Sequence, residues 1–197
     1  MHFSTRHVRF GLATLLLIAL LLDVVPTIAR QQMQSAPQPI VYLPLISILP
    51  GGHMPSPIEQ EAIDLINQQR TLHSCPQLAI SIKLSDAAYR HSSDMALGDL
   101  FSHDGSDGST MVSRILDTGY TYSQLAENIA AGDSTAQAVV SHWMGSTMHR
   151  NNIWNCGLRD AGIGYYYQAD DQPNVRLFNG QIGGPFYHYW TLDLGTP

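Results

Sequence analysis

Three short segments hold side chains that can bind a metal ion or move a proton: Phe101-Ser102-His103-Asp104, Ala126-Glu127-Asn128-Ile129-Ala130 and His149-Arg150-Asn151-Asn152-Ile153. Each sets one His or Glu beside apolar residues that can fix its position. About two dozen residues separate successive members, too many for one helix face to display all three. If His103, Glu127 and His149 meet, the fold brings them together.

Several kinds of chemistry fit those residue types. Two imidazoles and one carboxylate make a usable set for Zn²⁺ or another divalent cation, weakly bound, with one position left open for water. Water on such a metal becomes a nucleophile near neutral pH. Both imidazoles must be neutral to coordinate, so affinity falls in acid. Without metal, Glu127 can orient one imidazole and leave the other as a general base. A purely structural role stands beside these, in which Glu127 hydrogen-bonds His103 or His149 and rigidifies the core. The sequence contains no H-E-x-x-H and no G-x-S-x-G to single out a hydrolase. Ser146 lies three residues before His149, on the same face if one helix runs through both, but no nucleophile elbow surrounds it. His91 shares helical spacing with Met95 and reads as a core or supporting histidine. Asn128 and Asn151 read as ties between backbone turns, and Arg114 and Arg150 as partners for aspartates. Asp104, Gly105, Asp107 and Gly108 miss the calcium-loop pattern and read as a Gly-rich turn entering a helix.

The elements that must position these residues begin well inside the chain. Met1–Arg9 carries Arg6 and Arg9 and no acid, and an apolar run of about 13 residues follows from Phe10 to Leu22, ended by Asp23. A membrane span needs about 20 apolar residues, so residues 1–29 read as a signal peptide with cleavage after Ala29. An uncleaved N-terminal anchor is the alternative, with Val24, Val25 and Ile28 extending the run. Residues 30–55 read as a Pro-rich linker, with Pro37, Pro39, Pro44, Pro50 and Pro55 opposing helix. Its apolar stretch Ile40–Ile46 fits either a segment packed on the domain or a tether.

Without residues 1–29, 8 basic and 15 acidic side chains remain, a net charge of −7. That balance argues against nucleic acid, whose binding depends on neutralising phosphates. A membrane partner is expected only if the N-terminal segment stays attached. The protein is expected outside the cell, secreted or tethered, and monomeric. Export would place Cys75 and Cys156 in an oxidising compartment, which favours a disulfide over two buried thiols. Such a bridge would close a loop of about 80 residues, worth about 4 kcal/mol on the chain-entropy model.

The folded domain is read as residues 56–197. Ser56-Pro57-Ile58-Glu59 opens a helix with a capping-box pattern. Further helices are expected after Ser85, after Ser109 with Gly119 ending it, and from Asp133-Ser134. Strands are expected at Glu127–Ala131, Ala161–Tyr167 and Phe186–Leu192, with a short one within Val175–Phe178. Tyr165–Tyr167, Tyr187, Tyr189 and Trp190 are expected to alternate between core and surface. Helices first and strands later give an α+β class.

Together with His91-Ser92-Ser93-Asp94-Met95-Ala96, Trp143-Met144-Gly145-Ser146, Gly162-Ile163-Gly164-Tyr165 and Tyr189-Trp190-Thr191, the three segments resemble the CAP superfamily in order and spacing. That superfamily groups cysteine-rich secretory, antigen 5 and pathogenesis-related 1 proteins, and its domain is also called SCP. The resemblance covers about residues 58–194 and is strongest to the compact, secreted bacterial branch. It implies a three-layer α-β-α sandwich around a small, three-stranded antiparallel sheet. It also implies a cleft of two histidines and two acids, matched here by His103, Glu127 and His149. The second acid, three residues after the helix tryptophan, falls on Ser146, so the set is incomplete. His103, Glu127, Ser146 and His149 are the expected ligand-binding residues. The first three of the set, His103, Glu127 and His149, are also candidate metal ligands and candidate catalytic residues, with catalysis itself left open. Family links to sterols and other lipids imply a small lipid-like ligand, or an extracellular protein partner. A metal-assisted extracellular peptidase and a non-catalytic interaction module are the alternatives.

Overall fold

The computed structural model describes residues 52–197. The expected signal segment and nearly all of the linker lie outside the described residues. Helix α1 (Pro57–Leu72) starts at the expected capping box, where Ser56 N–H donates to Glu59 Oε2 at 2.6 Å. Glu59 is buried and also accepts from the backbone N–H of Tyr165, 106 residues away, at 2.7 Å. A local cap thus doubles as a tie between layers.

Strand β1 (Ala79–Ile80) leads into α2 (Ile82–Leu97). This helix begins before Ser85, the expected start, because Ser81 is its N-cap and accepts from Leu84 N–H. After β2 (Leu100–Phe101) comes α3 (Met111–Asp117), capped by Thr110 and ended at Gly119, whose φ of +75° suits glycine. Edge strand β3 (Gln124–Ala131) precedes α4 (Ala136–Gly145), which is capped by Thr135 rather than by Asp133 or Ser134. Helix α5 (Thr147–Ile153) follows, then β4 (Asp160–Tyr167), β5 (Val175–Leu177), β6 (Ile182–Gly183) and β7 (His188–Thr196).

The main sheet has four strands in the order β1-β4-β7-β3, where three were expected. Strands β3, β7 and β4 are antiparallel, and the two-residue β1 adds itself in parallel to β4. A second sheet, β2-β5-β6, is built from the loops. Strand β7 begins two residues later than expected. The buried carboxylate of Asp171 accepts the N–H groups of Phe186 and Tyr187 and the hydroxyl of Tyr189, which takes the first two out of the ladder.

Helices cover both faces of this sheet. On one side α1, α4 and α5 bring Ile63, Ile66, Val139, Trp143 and Ile153 against Ile163, Trp190, Leu192 and Leu194. On the other, α2 lies over Tyr189, Thr191 and Asp193, and Ser92 Oγ donates to Gly164 O and contacts Thr191 Oγ1 at 2.9 Å. The expected core-and-surface alternation fails on β7, where Tyr189 and Trp190 are both buried, because a central strand between two helical layers has no solvent face. Gly162 and Gly164 let α2 come this close. A Cβ at Gly162 would fall on the backbone of Leu84 and Ser85, and one at Gly164 on that of Tyr89.

Two devices lock the far end of α1. Arg70 is fully buried and donates to the carbonyls of Pro76, Ile153, Asn155 and Leu158 at 2.7–2.9 Å. The Cys75–Cys156 disulfide closes beside it across 81 residues of sequence, as expected.

Gly162→Ala should lower stability by at least about 1–3 kcal/mol, the usual cost of overpacking, because the added methyl meets backbone rather than a movable side chain. A urea-unfolding midpoint equal to wild type would contradict the packing described.

Candidate functional site

Edge strand β3 carries Glu127 on the face that α2 covers. Its side chain is only 2% exposed, and such a carboxylate must be paired. His103, on the loop after β2, places Nδ1 2.7 Å from Oε1. Arg114, on α3, donates from Nη2 to Oε2 at 2.7 Å and to the His103 carbonyl at 3.0 Å. Capping of α3 by Thr110 aims this arginine at the site. Arg114 therefore pairs with Glu127, not with an aspartate, and the sequence reading missed it.

The His103 side chain is 56% exposed. Because the carboxylate accepts, Nδ1 carries the proton and Nε2 is left towards solvent. This is the carboxylate–imidazole arrangement that fixes a tautomer. Burial alone would raise the Glu127 pKa. The His103 hydrogen bond, the field of His91, and the charge and hydrogen bond of Arg114 outweigh it and hold the carboxyl below its ordinary range.

His149 arrives from the opposite helical layer, on α5. Asn128 and Asn152 place this helix: Asn128 Nδ2 donates to His149 O, and Asn152 Nδ2 donates to Asn128 Oδ1 at 2.8 Å. Asn152 fills the tying role expected of Asn151. The His149 imidazole is half-buried, and its Nδ1 has no hydrogen-bond partner among the described residues. Burial, then the nearby His142 and His103, lower its pKa, keeping it neutral. His142 on α4 is itself held by Asp133, Nδ1 to Oδ2 at 2.8 Å. His91 is fully buried against Ser102 O, and burial pushes it down to about 4, in keeping with a core histidine.

Ser146 does not share a helix with His149. The chain turns extended there, φ −89° and ψ 126°, ending α4 and starting α5. Arg150 reaches the Met144 carbonyl and lies over the Trp154 ring rather than meeting an aspartate. The Asp104–Gly108 segment is a turn, closed by Gly105 N–H to Ser109 O and Gly108 N–H to Gly105 O.

The three-donor metal set does not fit these positions. Both Glu127 oxygens are taken by cationic or N–H donors, and no three His, Cys, Asp or Glu among the described residues are grouped to hold a metal ion. What converges is an oriented imidazole, a buried carboxylate–guanidinium pair and a second neutral imidazole. Asp193 on β7, directly across the ladder from Glu127, belongs to the same interior and was also missed. A lone acid in the apolar run Tyr189–Leu194 was the signal for it.

The family model described as "CAP: Cysteine-rich secretory protein family" matches residues 63–193. The chain belongs to the CAP family. Two proteins of Bacillus subtilis (strain 168) are similar to it. "Uncharacterized protein YkwD" is 33% identical over 110 residues, 56% of this chain and 43% of that protein. "Uncharacterized membrane protein YlbC" is 29% identical over 114 residues, 56% of this chain and 33% of that protein. The chain thus spans under half the length of these curated relatives. Among solved structures, an extracellular SCP-domain protein from Bacillus anthracis str. Ames superposes with a TM-score of 0.57 at 24% identity, over 74% of this chain and 45% of that one. An outer surface protein from Borrelia burgdorferi does so with a TM-score of 0.54 at 18% identity, over 74% of this chain and 98% of that one. These likenesses show the CAP fold. Among the described residues, no helix is long and apolar enough to cross a membrane.

The depressed Glu127 pKa makes a stability statement. The group contributes fully above its unfolded pKa, and that contribution is lost as pH falls through the lower folded value. Arg114→Met leaves the buried carboxylate with only the His103 hydrogen bond and no guanidinium, and should cost about 3–5 kcal/mol at pH 7. The gap to wild type should narrow in acid. Urea unfolding at pH 7 and pH 3 checks this, and a gap independent of pH would count against the pairing.

Proposed function

We propose that this chain is an extracellular CAP-domain binding module whose His103–His149 cleft takes the polar head of a small, lipid-like ligand. One observation carries the reading: Glu127 pins His103 Nδ1 at 2.7 Å while 56% of the His103 side chain stays exposed, so the far edge of an oriented ring is open to a ligand. The neutral imidazole of His149 adds a second ring nitrogen from the facing layer. Met148, exposed next to His149 in α5, offers apolar surface for the rest of the ligand. An extracellular place is supported by the apolar N-terminal run of the sequence and by the Cys75–Cys156 bridge. The two structural neighbours, one an extracellular protein and one an outer surface protein, point the same way.

The hydrolase alternative lacks a comparable observation. Ser146 sits at a helix break, and among the described residues no side chain orients His149 through Nδ1. Two hollows, of about 390 and 160 Å³, the smaller reaching Arg114, are lined mainly by charged and polar residues such as Lys83, Asp86, Asp94 and Asp117 and by neither His103 nor His149. They suit a lipid-like ligand less well than the imidazole edge does.

Imidazole-detected NMR of the secreted protein, titrated with a bacterial lipid extract and separately with zinc chloride, checks the reading. The lipid extract should shift the His103 and His149 ring signals. His103→Ala or His149→Ala should weaken that response at least tenfold. Ring signals that stay fixed with lipid but move with zinc would replace this reading with the metal one; signals fixed under both would leave the cleft without a ligand.

A further inference from the structure

The Cys75–Cys156 bridge joins two unlike residues. Cys75, just past the end of α1, is only 6% exposed, whereas Cys156 stands exposed in the loop between α5 and β4. An incoming thiolate is therefore directed to Cys156, because exchange depends on access to the sulfur attacked. The backbone on both sides is pinned without the bridge. Cys75 N–H donates to Arg70 O at 2.9 Å. The buried Arg70 guanidinium gathers the carbonyl of Pro76 on one side and those of Ile153, Asn155 and Leu158 on the other. Beyond Cys156, Thr196 Oγ1 donates to Gly157 O at 2.8 Å, and Gly157 N–H donates to Asn155 Oδ1 at 2.9 Å. Opening the sulfur–sulfur bond requires none of these hydrogen bonds to break.

The freed sulfur has an acceptor in place. The Trp154 carbonyl lies 3.2 Å from Cys75 Sγ, where a thiol can donate to it. The rim of the bridge is cationic. Arg159, itself exposed, donates from Nη1 to the Cys156 carbonyl, and its charge is felt at Arg70. Arg150 lies 5.3 Å from the centre of the Trp154 ring. Asp160, next to Arg159 in the chain, is engaged elsewhere, accepting from the Tyr120 hydroxyl at 2.8 Å.

We propose that Cys156 is a thiol-exchange site of the folded protein, which takes a small anionic thiol in a mixed disulfide while Cys75 serves as the leaving and returning thiol. The incoming thiolate forms an S–S bond to Cys156 Sγ. The Cys156–Cys75 bond breaks, its electron pair stays on Cys75, and that thiolate takes a proton from water. One disulfide replaces another, so no oxidant or reductant is consumed. The reverse attack, by the Cys75 thiolate on Cys156 Sγ, expels the thiol and restores the bridge. A carboxylate-bearing thiol of low molecular weight fits the arginine rim, which attracts its charge on approach. The exchange involves neither His103 nor His149, so it stands or falls apart from the cleft reading.

The test uses the full secreted chain without denaturant. After incubation with reduced glutathione and an acid quench, peptide mass mapping should find the adduct on Cys156 about tenfold over Cys75. Amide NMR of the adduct should keep the native pattern, with shifts confined to the surroundings of the bridge. The exposed change Arg159→Gln should slow the glutathione reaction about threefold and leave the reaction with uncharged 2-mercaptoethanol as it was. Adduct spread evenly over both cysteines overturns the proposal. So does an adduct that unfolds, or an exchange no faster than the global unfolding measured in urea. A glutathione rate untouched by Arg159→Gln overturns the anionic thiol. The double variant Cys75→Ala, Cys156→Ala should fold with the native amide pattern, and an unfolded chain would show that Arg70 does not hold the loop without the bridge, which also overturns the proposal.

Discussion

The structure around the site depends on one constraint, that the carboxylate of Glu127 is buried and has to be paired. A buried anion without partners would cost several kcal/mol, more than most single contacts return. Its pairing brings together a loop through His103, a short helix through Arg114 and the edge of the main sheet. Two of those segments are short: α3 has seven residues and β2, before the loop, has two. The electrostatic demand of one group thus adds to the apolar contacts, such as that of buried Ile115, that hold this part of the domain.

The two faces of the sheet solve different problems. Towards α1, α4 and α5 the sheet offers Ile163, Trp190, Leu192 and Leu194, and packing is by apolar contact. Towards α2 it offers two glycines, Thr191 and Asp193, and the helix rides close enough for Ser92 to bond strand atoms. Polar groups on that face have no water to turn to and must satisfy one another. The candidate residues Glu127 and His103 grow out of this polar layer, which is why His103 is held by interior groups although its ring is exposed. His149, carried by the other layer, reaches the same edge because β3 has a helical layer on either side and no strand beyond it.

The incomplete acid set of this CAP domain has a structural counterpart. At Ser146 the backbone turns extended and splits what could have been one helix into α4 and α5. This lets α5 change direction, so that Asn128 and Asn152 can lock the His149 turn to β3. Without a second acid, the charged groups behind the exposed imidazole of His103 are Glu127 and Arg114, with Asp193 across the ladder from Glu127.

Much of the fold was legible because it is written in local chemistry. The Ser56–Glu59 capping box, the Gly119 stop, the aromatic strands and the pairing of the two cysteines follow from short-range rules of caps, turns and compartments. The positions of His103, Glu127 and His149 were readable from motif order. Element starts that depend on distant partners were not: Asp171 delays β7, and Glu59 is claimed by Tyr165 as well as by its own helix. The partners of the site residues were illegible for the same reason. Nothing near Arg114 in the sequence points to Glu127, and nothing near Asp193 says that it faces a second carboxylate. The sequence by itself determined which groups can carry charge and which stretches become helices and strands. Only the tertiary structure decided which of those charges share a buried space, because pairing energies depend on burial and distance, and both are created when the layers close.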